Sequence, residues 1–304
     1  MTDPAACIWN CSGGMAIRLA PFCVMGVVNV TPDSFFDGGL HDTGPAALQH
    51  ALALAEQGAR ILDLGGESTR PGAEQVSADV ELERIVPLVR ALAGQGLTVS
   101  VDTTKAIVAR QAVEAGAAIV NDVSGCRFDP ELMDVLAQYR PGYVLMHSQG
   151  RPRDMQRNPC YGDIVNDVFA FFEERLAALT RAGLPEEHIV LDPGIGFGKR
   201  LEHNLALLRA TGRFLALGRP LLIGLSNKSL WGDLLGLALR ERAQATQVAT
   251  ALLAWQGVSI HRVHDVAATA QTLRIVSALR KRGIDPELTA GLRERGLGSQ
   301  PCSI

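Results

Sequence analysis

The chain has 304 residues, of which 47% are hydrophobic and 20% are charged, and its formal net charge is −3. This composition excludes an intrinsically disordered chain, and the small negative charge gives no general affinity for nucleic acid or an anionic membrane surface. The length suits one (β/α)₈ barrel, a fold that commonly takes about 250 residues. We therefore expect one compact domain with short terminal extensions.

The cysteines and the chain start bear on the cellular compartment. The six cysteines are scattered without the CxxC pairs of a zinc site, and we interpret them as reduced thiols. No basic segment followed by an apolar run opens the chain, and no stretch reaches the roughly 18 apolar residues of a membrane span. We predict a cytoplasmic protein with no nucleic-acid or membrane partner.

Short apolar runs rich in β-branched residues alternate with amphipathic segments of helical period. The predicted strands are residues 22–30, 60–65, 98–102, 118–121, 143–147, 188–192, 220–226 and 259–263. The predicted helices are residues 45–57, 79–93, 105–115, 130–139, 163–181, 201–210, 241–256 and 265–281. This repeating order predicts an α/β protein, and the strand count and length favour a (β/α)₈ TIM barrel over an open doubly wound sheet.

The segment before the first predicted strand has a different pattern. Residues 8–19 are broken by Ser-Gly-Gly at residues 12–14, which predicts a β-hairpin that covers the barrel floor. We therefore divide the chain into an N-terminal extension and hairpin (residues 1–21), a catalytic barrel (22–283) and a partly disordered tail (284–304).

In such barrels the chemistry lies at the carboxyl ends of the strands. Polar side chains stand at or just after every predicted strand: Asn29, Thr31 and Asp33; Glu67, Ser68, Thr69 and Arg70; Asp102; Asn121; His147; Asp192; Lys228; and Arg262 with His264. Some polar residues at strand ends only cap the next helix. Capping does not account for a polar residue at all of these ends, so we predict one polar site at the barrel mouth.

Four of these side chains indicate a ligand. Asp102, Asn121 and Asp192 offer acceptors, and Lys228 offers a cation, a set that suits a flat heterocycle with an amino-pyrimidinone edge such as a pterin. The alternative is that Asp102 and Asp192 are helix caps, for which Asp is a preferred residue.

The loops after the first two predicted strands are rich in hydroxyl groups, glycine and proline. The second carries Arg70, whose guanidinium is a planar fork of donors suited to an anion. Both loops have the composition of lids that close over a substrate. Two ordinary surface loops are the alternative, which leaves Arg70 beside Ser68 and Thr69 unexplained.

The segment GIGFGK at residues 194–199 resembles a phosphate loop, but its glycines are too closely spaced and Arg200 stands where Ser or Thr would bind magnesium. It is therefore no Walker motif. The sequence also contains no HExxH or GxSxG motif, so zinc hydrolysis and serine chemistry are not indicated.

Five further residues are assigned structural roles. We expect His147 to be a hydrogen-bonded structural residue and His261 to point away from the cavity. Lys199 is interpreted as a solvated group or as a residue behind the site. Trp231 and Trp255 stand among Leu and Ala at helical spacing, which is typical of core or interface.

Six motifs in order, within the span of about residues 8–279, resemble one known family. They are MGVVNVTPDSF (25–35), DLGGESTRPG (63–72), SVDT (100–103), ND (121–122), LDPGIGFGK (191–199) and HRVHD (261–265). The chain resembles the dihydropteroate synthases, pterin-binding TIM barrels that join p-aminobenzoate to a pterin-methyl pyrophosphate and release pyrophosphate. The resemblance implies these small-molecule substrates, bound Mg²⁺ and a homodimer.

The resemblance also implies residue roles. The pterin would be held by Asp102, Asn121, Asp192, Phe197, Lys228 and Arg262. The pyrophosphate would be held by Asn29, Arg70 and His264, with Asn29 also a ligand of Mg²⁺; the catalytic set would be Asn29, Arg70, Lys228, Arg262 and His264. The p-aminobenzoate and the mobile loops would involve Thr31, Asp33, Phe36, Ser68, Thr69, Pro71 and Ser229.

One motif departs from the family. After the seventh strand the family usually reads SRKS, whereas this chain reads SNKS at residues 226–229, so Asn227 replaces an arginine. A non-catalytic pterin-binding paralogue is therefore one alternative, although the intact Asn29 and Arg70 favour activity. A pterin-dependent methyltransferase is another, but it would not need a pyrophosphate loop with Arg70.

Overall fold

A computed structural model of the chain describes residues 8–30, 43–68 and 72–280. The strands are β1 (Ile8–Asn10), β2 (Ala16–Arg18), β3 (Cys23–Asn29), β4 (Ile61–Gly65), β5 (Val99–Asp102), β6 (Ile119–Asp122), β7 (Gly142–Met146), β8 (Ile189–Asp192), β9 (Leu222–Gly224) and β10 (Ile260–Val263). The helices are α1 (Thr43–Glu56), α2 (Ala78–Ala93), α3 (Ala106–Glu114), α4 (Leu132–Tyr139), α5 (Ile164–Ala182), α6 (Leu201–Arg209), α7 (Thr211–Leu215), α8 (Leu230–Leu235), α9 (Ala243–Gln256) and α10 (Val266–Arg280).

Strands β3 to β10 form one eight-stranded parallel sheet in the order β8-β7-β6-β5-β4-β3-β10-β9. A parallel bridge between Leu191 and Leu221 joins the two ends of this order. The sheet therefore closes, and the predicted (β/α)₈ barrel is confirmed over the open doubly wound sheet. Every residue of β4, β5, β6, β7 and β8 is buried, as expected for parallel strands covered on both faces.

The helices begin and end where local chemistry favours it. The Ser77 side chain accepts from the Val80 amide at the start of α2, and Asp163 accepts from the amides of Val165 and Asn166 at the start of α5. Helix α5 ends at Gly183, which adopts φ 113°, a left-handed conformation that glycine tolerates. The sequence did not predict α7 and α8, because neither is long enough to show a helical period.

The predicted hairpin is present: β1 and β2 pair in antiparallel register at the barrel floor. Trp9 is fully buried there and donates from Nε1 to the His188 carbonyl at 2.7 Å. A Cβ on Gly142 would lie 2.8 Å from Cys11 Sγ, so glycine lets the hairpin approach the start of β7. The floor is therefore a tightly packed apolar plug.

The tryptophans, the cysteines, the absence of a predicted membrane span and the C-terminal tail can each be compared with the structure. Trp231 is buried as predicted for a core residue, whereas Trp255 is 55% exposed on α9. Cys11, Cys23 and Cys126 are buried free thiols, and Cys160 is an exposed one. Among the described helices, none is long and apolar enough to cross a bilayer. The proposed tail, residues 284–304, lies outside the described residues.

Candidate active site

A cavity of about 420 Å³ opens at the carboxyl ends of the barrel strands. It is lined by every predicted site residue that the structure describes: Asn29, Ser68, Asp102, Asn121, Asp192, Phe197, Lys228, Ser229, Arg262 and His264. The other predicted site residues lie outside the described ranges: Thr31, Asp33, Phe36, Thr69, Arg70 and Pro71. Side chains from distant parts of the sequence thus meet in one place.

A network of hydrogen-bonded polar side chains links four strands at this cavity. Arg262 on β10 donates from Nε to Asp63 Oδ2 at 2.6 Å and from Nη2 to Asp102 Oδ2 at 2.7 Å. Asn121 on β6 donates from Nδ2 to the same Asp63 oxygen at 3.0 Å. Asp63 therefore orients both Asn121 and Arg262, a role that the sequence analysis did not assign. Its one signal in the sequence is a charge inside an otherwise apolar strand.

The two aspartates of the cavity present acceptors under strong desolvation. Within the described part of the chain, Asp102 Oδ1 is buried and has no hydrogen-bond partner. Burial raises the pKa of Asp102 to about 7, although the neighbouring Arg262 guanidinium opposes this shift. Burial also raises the pKa of Asp192, against the Gly194 amide that donates to its Oδ1 at 2.8 Å and against Lys228. A ligand that donates hydrogen bonds would relieve this desolvation.

Lys228 lies over an aromatic side chain in the cavity wall. Its Nζ is 4.2 Å from the centroid of the Phe197 ring, within the range of a cation–π contact. Burial, together with the nearby Arg262 guanidinium, lowers the pKa of Lys228 to about 8, although Asp192 and Asp102 act to raise it. The ammonium and the ring together form one flat, positively charged face of the cavity.

The residue that departs from the family motif lies at the rim. Asn227 adopts φ 62°, a left-handed conformation that asparagine tolerates better than most residues. Arg242 donates from Nη1 to the Asn227 carbonyl at 3.3 Å and also lines the cavity. Arg242 was not predicted as a site residue because it lies beyond α8, far along the chain from any strand end.

The adjoining part of the mouth is formed by the paired strands β3 and β10. His264, just after β10, has Nδ1 3.1 Å from Ser226 Oγ. Asn29 ends β3 and lines the same cavity. The pairing of Val263 with Gly26 keeps these two strand ends side by side. An amide oxygen and an imidazole therefore share one end of the cavity.

The stem of the second loop is held by charged side chains. The Lys105 ammonium pairs with Glu67 and, at 2.5 Å, with the buried Glu81. Arg84 donates to the Gly66 carbonyl at 2.7 Å. These contacts hold Gly66 and Glu67, the residues that begin the loop.

Three further residues, Lys199, His147 and His261, can be compared with their predicted roles. Lys199 is 3% exposed, so the solvated alternative is wrong and the alternative of a residue behind the site remains. His147 is buried and hydrogen-bonded to Lys199, as expected for a structural histidine. His261 is buried, lies edge-on to Phe22 and is not among the cavity-lining residues.

Comparison with known sequences identifies a family. Residues 25–264 match the family described as pterin binding enzyme. The dihydropteroate synthase of Synechocystis sp. is 45% identical over 258 residues, which cover 84% of this chain and 89% of that protein. The dihydropteroate synthase of Escherichia coli is 42% identical over 266 residues, which cover 87% of this chain and 94% of that protein.

Two solved structures of one relative have the same fold as this chain, and each contains a bound small molecule. The dihydropteroate synthase of Xanthomonas albilineans, solved with 4-aminobenzoic acid, superimposes with a TM-score of 0.85 at 43% identity and covers 91% of this chain and 99% of its own. The same protein solved with 7,8-dihydropteroate gives a TM-score of 0.81 at 40% identity, covering 90% and 98%.

Proposed function

Because the chain belongs to the dihydropteroate synthases of the pterin binding enzyme family, we propose that its cavity binds the pterin and the pyrophosphate of one substrate in adjoining subsites. As a transferase of this family, the chain condenses p-aminobenzoate with 6-hydroxymethyl-7,8-dihydropterin pyrophosphate to give 7,8-dihydropteroate and pyrophosphate. The observation that carries the residue assignment is the convergence of Asp102, Asn121, Asp192 and Lys228 on one cavity.

The pterin subsite consists of these four residues with Phe197 and Arg262. A pterin edge carries ring N–H and amino donors, which match the unpartnered Asp102 Oδ1 and the Asp192 carboxylate. Phe197 offers a flat surface beneath the ring. Arg262 is already fixed by Asp63 and Asp102, so its guanidinium plane is oriented before the pterin arrives.

The pyrophosphate subsite consists of Asn29, Arg70 and His264. Among the described residues no group of three or more His, Cys, Asp and Glu side chains could hold a metal ion. Mg²⁺ is often bound through one or two protein oxygens, with substrate phosphates and water completing its shell, so the single amide oxygen of Asn29 fits that ion. When bound, Mg²⁺ would neutralise charge on the leaving pyrophosphate.

The reaction needs no protein nucleophile. The methylene C–O bond breaks with its electron pair going to the pyrophosphate, the aryl amine nitrogen forms the new C–N bond, and the amine proton leaves to solvent. An aryl amine is a weak nucleophile, so stabilising the departing charge has the larger effect. Arg70 and His264 serve that purpose, while the electron-rich pterin carries the developing cation.

The p-aminobenzoate subsite lies at the rim, between the loops that follow the first two barrel strands. Phe36 and Pro71 would pack on its ring, Ser229 would receive its carboxylate, and Thr31, Asp33, Ser68 and Thr69 would complete the subsite. Ser68 and Ser229 both line the cavity, which supports this placement. The relative from Xanthomonas albilineans was solved with 4-aminobenzoic acid, which supports the same ligand here.

Assembly and location complete the proposal. An exposed apolar face extends over the packed helices α9 and α10 and comprises Val248, Leu252, Trp255, Ile275 and Leu279, each more than half exposed. A contiguous apolar surface of this kind favours contact with a second copy of the chain, so we propose a homodimer through this face.

The free thiols of the described cysteines support a cytoplasmic location.

The test is condensation of the two substrates by the full chain, with and without Mg²⁺. Magnesium-dependent dihydropteroate formation is expected. Arg70→Ala should reduce turnover far more than it reduces affinity for a pterin without pyrophosphate, because the guanidinium acts on the leaving group. Pterin binding without any condensation would instead identify the non-catalytic paralogue, and methyl transfer without condensation the methyltransferase.

A further inference from the structure

We infer that Lys199 is a positioning residue of the pterin subsite, whose ammonium group holds the glycine loop, residues 194–198, against the end of β7. Lys199 does not line the cavity, so it acts through the residue that does, Phe197. The identity of the ligand rests on the proposed function; the placement of the loop does not.

The Lys199 ammonium has as many acceptors as it has donors. Its Nζ donates to the carbonyl of His147 at 3.1 Å and to the carbonyl of Phe197 at 3.0 Å, and lies 3.0 Å from His147 Nδ1. Burial lowers the pKa of His147 to about 2, so this imidazole is neutral near pH 7 and its Nδ1 can accept. An ammonium carries three N–H donors, and all three are used.

The three contacts favour the ammonium form of Lys199, which burial opposes. Burial, together with Lys228 and Arg127, lowers the pKa of Lys199 to about 7, although Asp192 acts to raise it. No carboxylate contacts the ammonium directly in the described ion pairs. An apolar side chain would fill the same space without desolvation, so the ammonium contributes directed bonds rather than packing.

The glycine loop needs such bonds. Gly194, Gly196 and Gly198 all have positive φ, so this backbone has many accessible conformations when it is not held. A Cβ on Gly194 would lie 1.9 Å from the His147 carbonyl oxygen, and one on Gly198 would lie 2.3 Å from that of Gln149. The loop therefore rests directly on the backbone that follows β7, and Lys199 bonds the two together.

The consequence reaches the substrate through Phe197. Lys199 binds the main-chain carbonyl of Phe197, while the Phe197 ring lies beneath Lys228. Asn204, Gln156 and Tyr161 also bond this loop. Loss of the ammonium would therefore loosen the Phe197 ring beneath Lys228 without unfolding the loop. The pterin would then lose affinity, whereas p-aminobenzoate, bound at the rim, would be little affected.

The experiment compares Lys199→Met with Arg209→Met in the full chain. Arg209 is exposed on α6, so its replacement removes an equal charge from the same βα unit. Lys199→Met should weaken binding of a pterin ligand in calorimetry, and raise the KM for the pterin substrate, by about tenfold. The KM for p-aminobenzoate and kcat should stay within about twofold, and Arg209→Met should match the wild type. Unchanged pterin affinity in Lys199→Met would overturn the inference.

A double-mutant cycle with Phe197→Ala tests whether Lys199 acts through that ring. In the Phe197→Ala background, Lys199→Met should change pterin affinity by less than about twofold, because the ring is already gone. Fully additive losses would contradict the inference and indicate a general structural role.

Two outcomes separate this inference from neighbouring explanations. If Lys199→Met does not fold, His147→Phe removes the Nδ1 acceptor while keeping an aromatic ring against Phe171; a loss of pterin affinity of about threefold supports the inference, and no loss overturns it. If the wild type binds pterin but does not condense the substrates, the proposed function fails while the cycle still tests Lys199.

Discussion

The floor and the mouth of the barrel are built by the same strands but follow opposite rules. At the floor, Trp9 and its neighbours are buried in an apolar cluster, and the indole nitrogen is hydrogen-bonded. At the mouth, carboxylates and cations are buried together, and Asp102 Oδ1 has no partner among the described residues. The floor is arranged for stability, and the mouth is arranged to bind a ligand.

The largest expected effect separates the floor from the mouth. Trp9→Ala should lower the free energy of unfolding by about 3–5 kcal/mol, because it leaves a large cavity in the floor. In the folded fraction, kcat/KM should equal that of the wild type. Urea denaturation with steady-state kinetics checks both, and Ile8→Ala, an exposed residue of the same strand, is the control. A reduced kcat/KM at unchanged stability would show that the floor contributes to catalysis and not to stability.

The next largest effect is expected at the mouth, where a substitution should weaken ligand binding and leave stability unchanged. Asp192→Asn should weaken pterin binding by roughly 1.5–3 kcal/mol, because it removes a charge-assisted acceptor and presents a donor to a donating ring edge. Stability should not fall, because a desolvated carboxylate has been removed. Calorimetry and denaturation measure the two quantities. Asp163→Asn, the same change at the cap of α5, should alter neither, and equal affinity in both variants would exclude Asp192 from the site.

The sequence predicted which residues lie at the mouth, but it did not predict the contacts that hold them in place. Asp102, Asn121, Asp192, Lys228 and Arg262 follow from the rule that places barrel chemistry at strand ends, and the structure brings them to one cavity. Asp63 lies below the mouth and meets Arg262 across 199 residues of sequence, a contact with no local signal. The burial of Lys199 likewise depends on His147, which belongs to another βα unit.

A third prediction concerns pH. Because burial lowers the pKa of Lys228 to about 8, its ammonium should lose its proton as the pH rises through that value. Affinity for the pterin pyrophosphate should therefore fall between about pH 7 and 9, well below the pKa of about 10.4 of an ordinary lysine. Titration calorimetry over that range checks the fall, and Lys228→Met should remove the step near pH 8 while leaving a step near pH 7 that belongs to Lys199. A step near pH 8 that persists in Lys228→Met belongs to another group.

The smallest effect is expected at the rim. Asn227→Arg restores the residue that the family usually has there, beside an Arg242 guanidinium that already contacts this turn. Apparent affinity for the anionic substrates should change by no more than about tenfold, roughly 1.4 kcal/mol, and the unmodified chain should already condense them. Steady-state kinetics of the unmodified chain and of Asn227→Arg test this prediction. Activity confined to the arginine variant would make the natural chain a pterin-binding paralogue.

The guanidinium of Arg262 joins the last strand of the barrel to two early ones, Asp63 on β4 and Asp102 on β5, the second across 160 residues. Contacts of such long sequence separation form late, because a large loop must close before they are made. A chain released before β10 would contain Asp102, Asn121 and Asp192 yet lack the guanidinium that bonds Asp63 and Asp102. Pterin binding thus reports that the whole barrel, from its first strand to its last, has been synthesised and closed.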